Sequence, residues 1–194
     1  MTFEIFLIFL LSYISGSIPF GFILTKLFLK IDIRNVGSGN IGATNALRTG
    51  NKLIGYSTLF LDISKTIIPL IIVKIYFENF VYISAFSLFV GHVFPIWLKF
   101  KGGKGVASYV GILFCLNYKF VLIFVISWII IFIISKLSSL SSLIATLSVP
   151  VYLIIFDNNF NNYFFFIMFI FIMITHRENI KRLINGTESK TKIY

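Results

Sequence analysis

The chain has 194 residues, of which 58% are hydrophobic and only 12% are charged, and its formal net charge is +10. Soluble domains average about 25% charged residues, so this composition, with a mean hydropathy of +0.95, excludes an ordinary soluble domain and indicates an integral membrane protein. The basic excess does not indicate nucleic-acid binding, because the lysines and arginines lie in short loops between apolar runs. Basic residues in such loops orient a membrane protein and attract anionic lipid or phosphate.

Seven apolar runs, bounded by charged residues, are predicted to be helices. Several are shorter than the roughly 20 residues of an ordinary span, which favours short helices with polar ends beside a thinned or water-penetrated site. In chain order the runs are Phe3–Leu29, Leu53–Tyr76, Phe80–Leu98, Val106–Leu116, Phe120–Ile134, Leu143–Phe156 and Tyr163–Thr175.

The distribution of basic residues predicts how these helices cross the membrane, because cytoplasmic loops are enriched in Lys and Arg. The loop after the first run, the loop after the third and the C-terminal tail are basic and are placed in the cytoplasm. An outside N-terminus and an inside C-terminus require an odd number of spans, and counting the short run Val106–Leu116 gives seven. The outside loops, Glu78–Asn79, Asn117–Lys119 and Asp157–Asn162, are then short and nearly uncharged. The predicted fold is an all-α polytopic membrane helix bundle with about seven transmembrane helices, forming one domain over residues 1–194. The basic residues that set this orientation are Lys30, Arg34, Arg48, Lys52, Lys99, Lys101, Lys104, Arg177, Lys181, Arg182, Lys190 and Lys192.

A first glycine loop, Asn35–Arg48, follows the first run and combines Gly37, Gly39 and Gly42 with polar side chains. Glycine lets backbone N–H groups approach an anion closely, and hydroxyl, amide and guanidinium groups supply further donors. The alternative is a turn and helix N-cap, with Gly at positive φ and Ser or Asn capping. The candidate ligands of a phosphate or hydroxyl are Ser38, Asn40, Asn45 and Arg48.

A second glycine loop, Lys101–Gly105, precedes the fourth run and contains Gly102, Gly103 and Lys104. It lacks the spacing of a Walker A motif, which argues against nucleotide hydrolysis. We expect it to bring two lysines and three flexible backbone amides to a helix N-terminus, where an anion is favoured. The alternative is a cytoplasmic loop whose lysines only set orientation.

Four further polar groups lie near or within the apolar runs. The serine run Ser138–Ser142 is predicted on the cytoplasmic side, although serines also cap and pack membrane helices. His176 and Asn179 are i, i+3 neighbours that would share a face if the last helix continues through them. His92, inside the third run, is interpreted as a helix–helix hydrogen-bond partner, and Asp62 with Lys65 as an i, i+3 pair whose charges neutralise each other.

Taken together, these segments resemble the bacterial membrane acyl-phosphate:glycerol-3-phosphate acyltransferase family. The resemblance runs nearly end to end, and its motifs occur in the family's order. It is carried by Gly16–Gly21, Arg34–Arg48, Gly91–Ala107 and His176–Glu188.

The resemblance implies transfer of a fatty acyl group from acyl phosphate to the 1-hydroxyl of glycerol 3-phosphate, giving lysophosphatidate and phosphate. Acyltransferases that use acyl-CoA or acyl-carrier protein carry an HxxxxD motif, but here the fifth residue after His92 is Trp97 and the fifth after His176 is Lys181. By resemblance, His176, Asn179 and Ser38 are the catalytic residues. The substrate- and phosphate-binding residues are Asn40, Asn45, Arg48, Lys101, Gly102, Gly103, Lys104, Gly105 and Ser142, with Ser139 an alternative to Ser142 because the serine run is repetitive.

No cofactor or metal is expected, because acyl phosphate is an activated mixed anhydride and the single cysteine, Cys115, allows no Cys-based cluster. His176 is either the general base for the hydroxyl or a group that only positions the substrate. The expected partners are the two substrates, membrane lipid and the soluble enzyme that produces acyl phosphate, at a cytoplasmic site of the bacterial inner membrane. The competing hypotheses are an organophosphate transporter or flippase and a structural protein that binds anionic lipid.

Overall fold

A computed structural model describes residues 2–156 and 162–191, and all secondary structure in these two ranges is helical. The described chain divides into two compact units, Met1–Cys115 and Leu116–Tyr194. The single domain over residues 1–194 stays a prediction. The predicted outside loop Asp157–Asn162 lies outside the described residues except for the backbone of Asn162, as does Lys192 in the tail.

The first unit begins with a helical segment that is broken where a single helix is predicted. Helix α1 (Thr2–Gly16) ends before Pro19, and α2 (Phe20–Leu24) runs into a π-helical turn over Thr25–Leu29. Proline removes a helix hydrogen bond and restricts the residue before it, which accounts for the break.

Close packing of small residues joins α1 to α5 (Val81–Val93). A Cβ added to Gly16 would overlap the backbone carbonyl of Leu88, and one added to Gly91 would overlap that of Tyr13. Ser12 Oγ and Ser84 Oγ also share a 2.8 Å hydrogen bond between these helices. Small residues at such a contact let two helices approach closely, as is common in membrane bundles.

The rest of the first unit contains a short helix, one long helix and one short apolar helix. Helix α3 (Ala43–Leu47) lies in the first glycine loop, and α4 (Lys52–Tyr76) begins where the Asn51 side chain accepts a hydrogen bond from the Ile54 N–H at 3.1 Å. Helix α6 (Val106–Leu116) confirms the helical character of the fourth run. The core of the unit includes the fully buried side chains of Leu70, Ala85, Leu88, Phe89, Tyr109, Ile112 and Leu113.

The predicted pair on α4 is confirmed. Lys65 Nζ lies 2.7 Å from Asp62 Oδ1, and both side chains are only 3% exposed. The pair therefore lies in the interior of the unit and not at its surface.

The described residues of the second unit form four helices, three of them close to the predicted runs. Helix α7 spans Tyr118–Ser135, α8 Ser138–Phe156, α9 Asn162–Thr175 and α10 Arg177–Ile184. Helix α8 begins five residues before the predicted start at Leu143, so the serine run forms its first turns. The hydroxyls of Ser141 and Ser142 donate to the backbone carbonyls four residues earlier, which satisfies them within the helix.

Four helical segments of the described chain are long and apolar enough to cross a membrane, or five if α9 and α10, bent by 67°, form one span. The four are Phe3–Leu29, Glu78–Leu98, Tyr118–Ser135 and Ser138–Phe156, and α6 is a shorter apolar helix. The all-α architecture is therefore confirmed, whereas the count of seven spans and the orientation of the termini remain predictions.

Candidate active site

The first glycine loop is organised around one buried amide. The side chain of Asn45 is only 2% exposed. Its Nδ2 donates to the carbonyls of Val36 and Asn40 at 2.9 and 2.8 Å and lies 3.2 Å from that of Ile33. Its Oδ1 accepts the backbone N–H of Ser38 at 3.0 Å. Asn45, predicted to bind substrate, thus makes these hydrogen bonds inside the loop and acts through the loop's shape.

The predicted ligands Ser38 and Arg48 lie on the exposed side of this loop. Gly37, at φ +53°, lies between the side chains of Asn45 and Arg48. A Cβ added to it would lie 2.5 Å from Asn45 Oδ1 and 2.8 Å from Arg48 Cδ. Only glycine tolerates that approach at positive φ. Asn40 shapes the same loop, because its Oδ1 accepts the N–H of Gly42 at 2.9 Å. The loop therefore presents a hydroxyl and a guanidinium at its surface.

Arg34, directly before the same loop, is held by a neighbouring carboxylate. Its Nε donates to Asp32 Oδ1 at 2.9 Å and its Nη2 to Oδ2 at 2.6 Å, a bidentate pair. The hydrogen bonds from Arg34 lower the pKa of Asp32 to about 2. Arg34 is thus engaged by a neighbouring carboxylate, which makes it a suitable control for Arg48.

The second glycine loop is packed against the end of α5. The Gly102 N–H donates to the Val93 carbonyl at 3.0 Å and the Gly103 N–H to the His92 carbonyl at 3.1 Å. The expectation of three flexible amides open to an anion is therefore wrong for these two, which are already hydrogen-bonded. Gly105, at φ +89°, is buried against the Phe89 ring.

The two lysines of this loop, Lys101 and Lys104, lie shortly before a helix N-terminus, as the sequence predicts. Lys101 is exposed and Lys104 is partly buried, and α6 begins at Val106, directly after Gly105. Both cationic side chains thus originate within the turn that precedes a helix N-terminus, where the partial positive charge of the helix adds to theirs.

His176 lies at a bend and not on a continuous helix. The axis turns by 67° between α9 and α10, and His176 is the N-cap residue of α10. The continuous helix on which His176 and Asn179 would share a face is therefore not formed. Both residues are nevertheless buried, with exposed fractions of 2% and 5%.

The geometry of His176 selects its tautomer. Its Nδ1 lies 2.8 Å from the Ile172 carbonyl oxygen. A carbonyl can only accept, so the neutral ring carries its hydrogen on Nδ1 and has its lone pair on Nε2. This is the form of imidazole that can take a proton from a hydroxyl.

Asn179 belongs to a cluster around a carboxylate that the sequence analysis did not select. Glu188 Oε1 accepts from Ser139 Oγ at 2.7 Å and from Asn179 Nδ2 at 2.6 Å, and Oε2 accepts from Arg182 Nε at 2.7 Å. We call these four residues the Glu188 cluster. Glu188 is one of only two acidic residues, with Glu178, in the strongly basic segment after His176, and a carboxylate among so many cations is expected to have a partner there.

Electrostatics favour the ionised form of Glu188, whose side chain is only 7% exposed. Burial raises the pKa of this carboxyl, but the hydrogen bonds from Ser139, Asn179 and Arg182 outweigh burial and leave the pKa below its ordinary value of 4.5. The carboxylate therefore stays charged at neutral pH and holds Asn179 in place.

The cluster distinguishes the two candidate serines. Ser139 Oγ bonds to Glu188, whereas Ser142 Oγ donates to the Ser138 carbonyl and accepts the Trp128 indole N–H at 3.1 Å. Ser139 is thus the serine that joins Asn179, and Ser142 is engaged within and beside α8. Among the described residues, no group of three His, Cys, Asp or Glu side chains could hold a metal ion.

Comparison with known proteins covers nearly the whole chain. A family model described as glycerol-3-phosphate acyltransferase matches residues 6–186. A glycerol-3-phosphate acyltransferase of Pelagibacter ubique is 63% identical over 98% of this chain and 100% of its own length. A protein of the same name from Bartonella henselae is 46% identical over 97% of this chain and 92% of its own length.

Two crystal structures of PlsY (YgiH), an integral membrane glycerol 3-phosphate acyltransferase, are similar in fold. Its glycerol 3-phosphate form superposes with a TM-score of 0.91 and 34% identity, covering 97% of this chain and 96% of that one. Its lysophosphatidic acid form gives a TM-score of 0.86 at 34% identity, covering 96% and 95%.

Proposed function

The chain belongs to the glycerol-3-phosphate acyltransferase family, and from this premise we propose that it transfers a fatty acyl group from acyl phosphate to the 1-hydroxyl of glycerol 3-phosphate. The products are lysophosphatidate and inorganic phosphate, and the reaction is the first acylation step of phospholipid synthesis. The observation that carries the proposal is the similarity, over 97% of this chain, to a crystal structure of the glycerol 3-phosphate form of PlsY.

The donor is assigned from the sequence and from the chemistry it requires. The HxxxxD motif of acyltransferases that use acyl thioesters is lacking at both histidines of the chain, His92 and His176. Acyl phosphate is already activated, so a direct transfer suffices. The hydroxyl oxygen of glycerol 3-phosphate forms a bond to the acyl carbon, the bond from that carbon to the phosphate oxygen breaks, and phosphate leaves with the electron pair.

The two glycine loops supply the groups that bind phosphate in this proposal. Ser38 and Arg48 are exposed on the first loop, and Lys104 lies on the second, two residues before the start of α6. Arginine binds phosphate through two parallel N–H groups, and lysine acts as a point charge. Asn45 and the glycines serve these groups by fixing the loops that carry them.

His176 is the general base in this proposal, because its Nδ1 donates to Ile172 and leaves the lone pair on Nε2. Nε2 takes the hydroxyl proton as the bond to the acyl carbon forms, which raises the nucleophilicity of the oxygen. Asn179, held by Glu188, contributes an amide at the first turn of α10. Ser139, through its bond to the same carboxylate, is the serine of the run that supports this arrangement.

We place the reaction at the cytoplasmic face of the bacterial inner membrane, in a multi-pass protein of seven spans. The basic residues of both glycine loops and of the tail support this orientation. The apolar tail of the acyl donor enters from the bilayer, and the soluble glycerol 3-phosphate comes from the cytoplasm, where a soluble enzyme supplies the acyl phosphate.

The decisive experiment uses the full chain purified in detergent. Acyl phosphate and glycerol 3-phosphate together should yield stoichiometric phosphate and lysophosphatidate, whereas acyl-CoA or acyl-carrier protein in place of acyl phosphate should yield none. Equal turnover with a thioester donor would refute the donor assignment. Absence of acyl transfer with every donor would favour the transporter or lipid-binding hypothesis.

The phosphate role of the first loop is tested with a matched pair of arginine variants. Arg48→Ala should raise the KM for a phosphate-bearing substrate, whereas Arg34→Ala should change it little because Arg34 is paired with Asp32. Equal effects of the two variants would reduce the loop to general electrostatic attraction.

A further inference from the structure

The buried charges of α4 lie beside the third run's histidine, in a part of the first unit that the proposed mechanism does not use. Lys65 Nζ forms its ion pair with Asp62 and also donates to the Ile18 carbonyl at 2.6 Å, at the break between α1 and α2. Intramembrane charges are rare and mark functional positions by default. A pair this deeply buried requires a reason beyond the stability of α4, because apolar residues of similar size often replace such pairs without loss.

The partner of this pair is His92, in the last turn of α5. His92 is 3% exposed, and its Nδ1 lies 3.9 Å from Asp62 Oδ1. That distance is too long for a hydrogen bond, so the carboxylate packs beside the ring, and His92 Nδ1 has no hydrogen-bond partner among the described residues. The predicted hydrogen bond between helices is therefore not formed by Nδ1, whereas the position of His92 between α4 and α5 is as expected.

The opposite edge of the His92 ring supports the second glycine loop. A Cβ added to Gly103 would overlap His92 Nε2 and lie 2.8 Å from Cε1. The Gly103 N–H also donates to the His92 carbonyl at 3.1 Å. His92 thus contacts this glycine with both its side chain and its backbone, and Lys104 is the next residue along the chain.

We propose that His92, packed between the buried Asp62–Lys65 pair and the second glycine loop, is the positioning residue that fixes the backbone of Gly103 and hence the placement of Lys104. The proposal rests on the proposed function, in which Lys104 binds a phosphate-bearing substrate. His92 does not touch substrate. Its ring packs against Gly103 and thereby fixes the position of the second glycine loop. The ring is large enough to exclude every residue but glycine above it, which accounts for Gly103 in a turn whose amide is already hydrogen-bonded.

The contact predicts a specific rescue. Gly103→Ala should push the loop away from the ring and raise the KM for whichever substrate Lys104→Ala affects, by on the order of 10- to 100-fold, since about 1 Å of misplacement can cost 100-fold. His92→Ala should raise the same KM. The double variant should be no worse than His92→Ala alone, because the added methyl then meets no ring.

Gly102→Ala is the matched control. Its added Cβ would overlap the backbone carbonyl of His92 and the ring of Pro95, neither of which changes when the His92 side chain is shortened. The effects of Gly102→Ala and His92→Ala should therefore multiply, as for independent sites, whereas those of Gly103→Ala and His92→Ala should not.

Both KM values and kcat are measured for each variant in detergent, with the unfolding temperature as a check on folding. A merely structural loss lowers the active fraction and hence the apparent kcat, but it leaves KM unchanged. If His92→Ala does not fold, His92→Gln and His92→Gln/Gly103→Ala provide the same comparison with a smaller, flexible side chain.

If the effects of Gly103→Ala and His92→Ala on KM multiply, or if His92→Ala leaves KM unchanged, the inference is overturned. Either result leaves the acyltransferase proposal intact. An unchanged KM for both substrates in Lys104→Ala would instead refute the phosphate role of Lys104. In that case kcat, measured for Gly103→Ala, His92→Ala and the double variant, shows whether His92 and Gly103 are coupled. Failure of the phosphate role of Lys104 is thus distinguished from failure of the His92–Gly103 contact.

Discussion

Replacing Glu188 by Gln should release α10 and the tail without unfolding the second unit. The carboxylate accepts from Ser139 and Asn179 through Oε1 and from Arg182 through Oε2. A glutamine keeps one oxygen, which can still face Ser139 and Asn179. Its NH₂ group then faces Arg182 Nε, so two donors oppose each other and the charge-assisted bond is lost.

The magnitude follows from that one lost bond. Hydrogen bonds to charged groups contribute about 1.5–3 kcal/mol, and the Arg182 side chain is 39% exposed, so solvent screening places the loss at the lower end of that range. A loss of about 1.5 kcal/mol increases the population of the open form roughly tenfold. Glu188→Ala should cost more, because it also leaves a buried hydroxyl and a buried amide without their acceptor.

Hydrogen exchange followed by mass spectrometry measures this opening locally. Peptides from α10 through the Thr187 amide, which donates to the Arg182 carbonyl at 2.8 Å, should exchange about tenfold faster in Glu188→Gln. Peptides of α7 should be unchanged. Ser139→Ala is the matched control, since it removes one donor and leaves the carboxylate paired with Arg182. Wild-type exchange rates in Glu188→Gln would refute the role of the carboxylate.

The pKa of Glu188 adds a pH test of the same reasoning. Its folded-state pKa is lowered below the ordinary value of 4.5, so its contribution to stability is present above that value and is lost as pH falls through the folded-state pKa. Protection of the α10 amides, measured relative to their intrinsic exchange rates at each pH, should therefore fall in acid in the wild type. Glu188→Gln should lack this component, whereas an identical acid response in both proteins would contradict the assignment.

The other predictions concern the loops, the base and the topology. Lys104→Ala should raise the KM for a phosphate-bearing substrate by roughly 10- to 150-fold, and Lys99→Ala, outside the second glycine loop, by much less; equal effects would contradict a specific site. His176→Gln should lower kcat in the phosphate-release assay by roughly 100- to 10,000-fold, and a robustly active variant would exclude the general base. A cysteine replacing Lys190, in a Cys115→Ala background, should react with an impermeant maleimide only after the inner membrane face is opened; labelling in intact cells would refute the orientation.

Local patterns in the sequence predicted the helices well. Apolar runs bounded by charges located α4, α6, α7 and α9 to within a few residues, because burial in lipid requires a continuous apolar stretch. The Asp62–Lys65 pair was equally predictable, since i, i+3 spacing fixes the contact regardless of the remaining fold.

Contacts between distant parts of the chain were not predictable in this way. Ser139 and Glu188 are 49 residues apart, and no local period indicates that their side chains meet. The choice between Ser139 and Ser142 depends on this contact and on the Trp128 indole N–H, which donates a hydrogen bond to Ser142 Oγ. The bend at His176 was also missed, because the residues around it contain neither proline nor glycine to signal it.

The two glycine loops show why a glycine-rich, basic pattern is ambiguous until the packing beneath it is known. Gly37 is required because two polar side chains of its own loop approach its α-carbon, and Gly103 because the His92 ring lies under it. In the second loop, the amides of Gly102 and Gly103 donate to carbonyls at the end of α5, so in the proposed site the lysines, and not these two amides, bind the phosphate. The same residue types that build a nest of open amides can therefore build a rigid support for one cation. The sequence supplies the loop and its charge, and the side chain beneath the loop decides which group binds the anion.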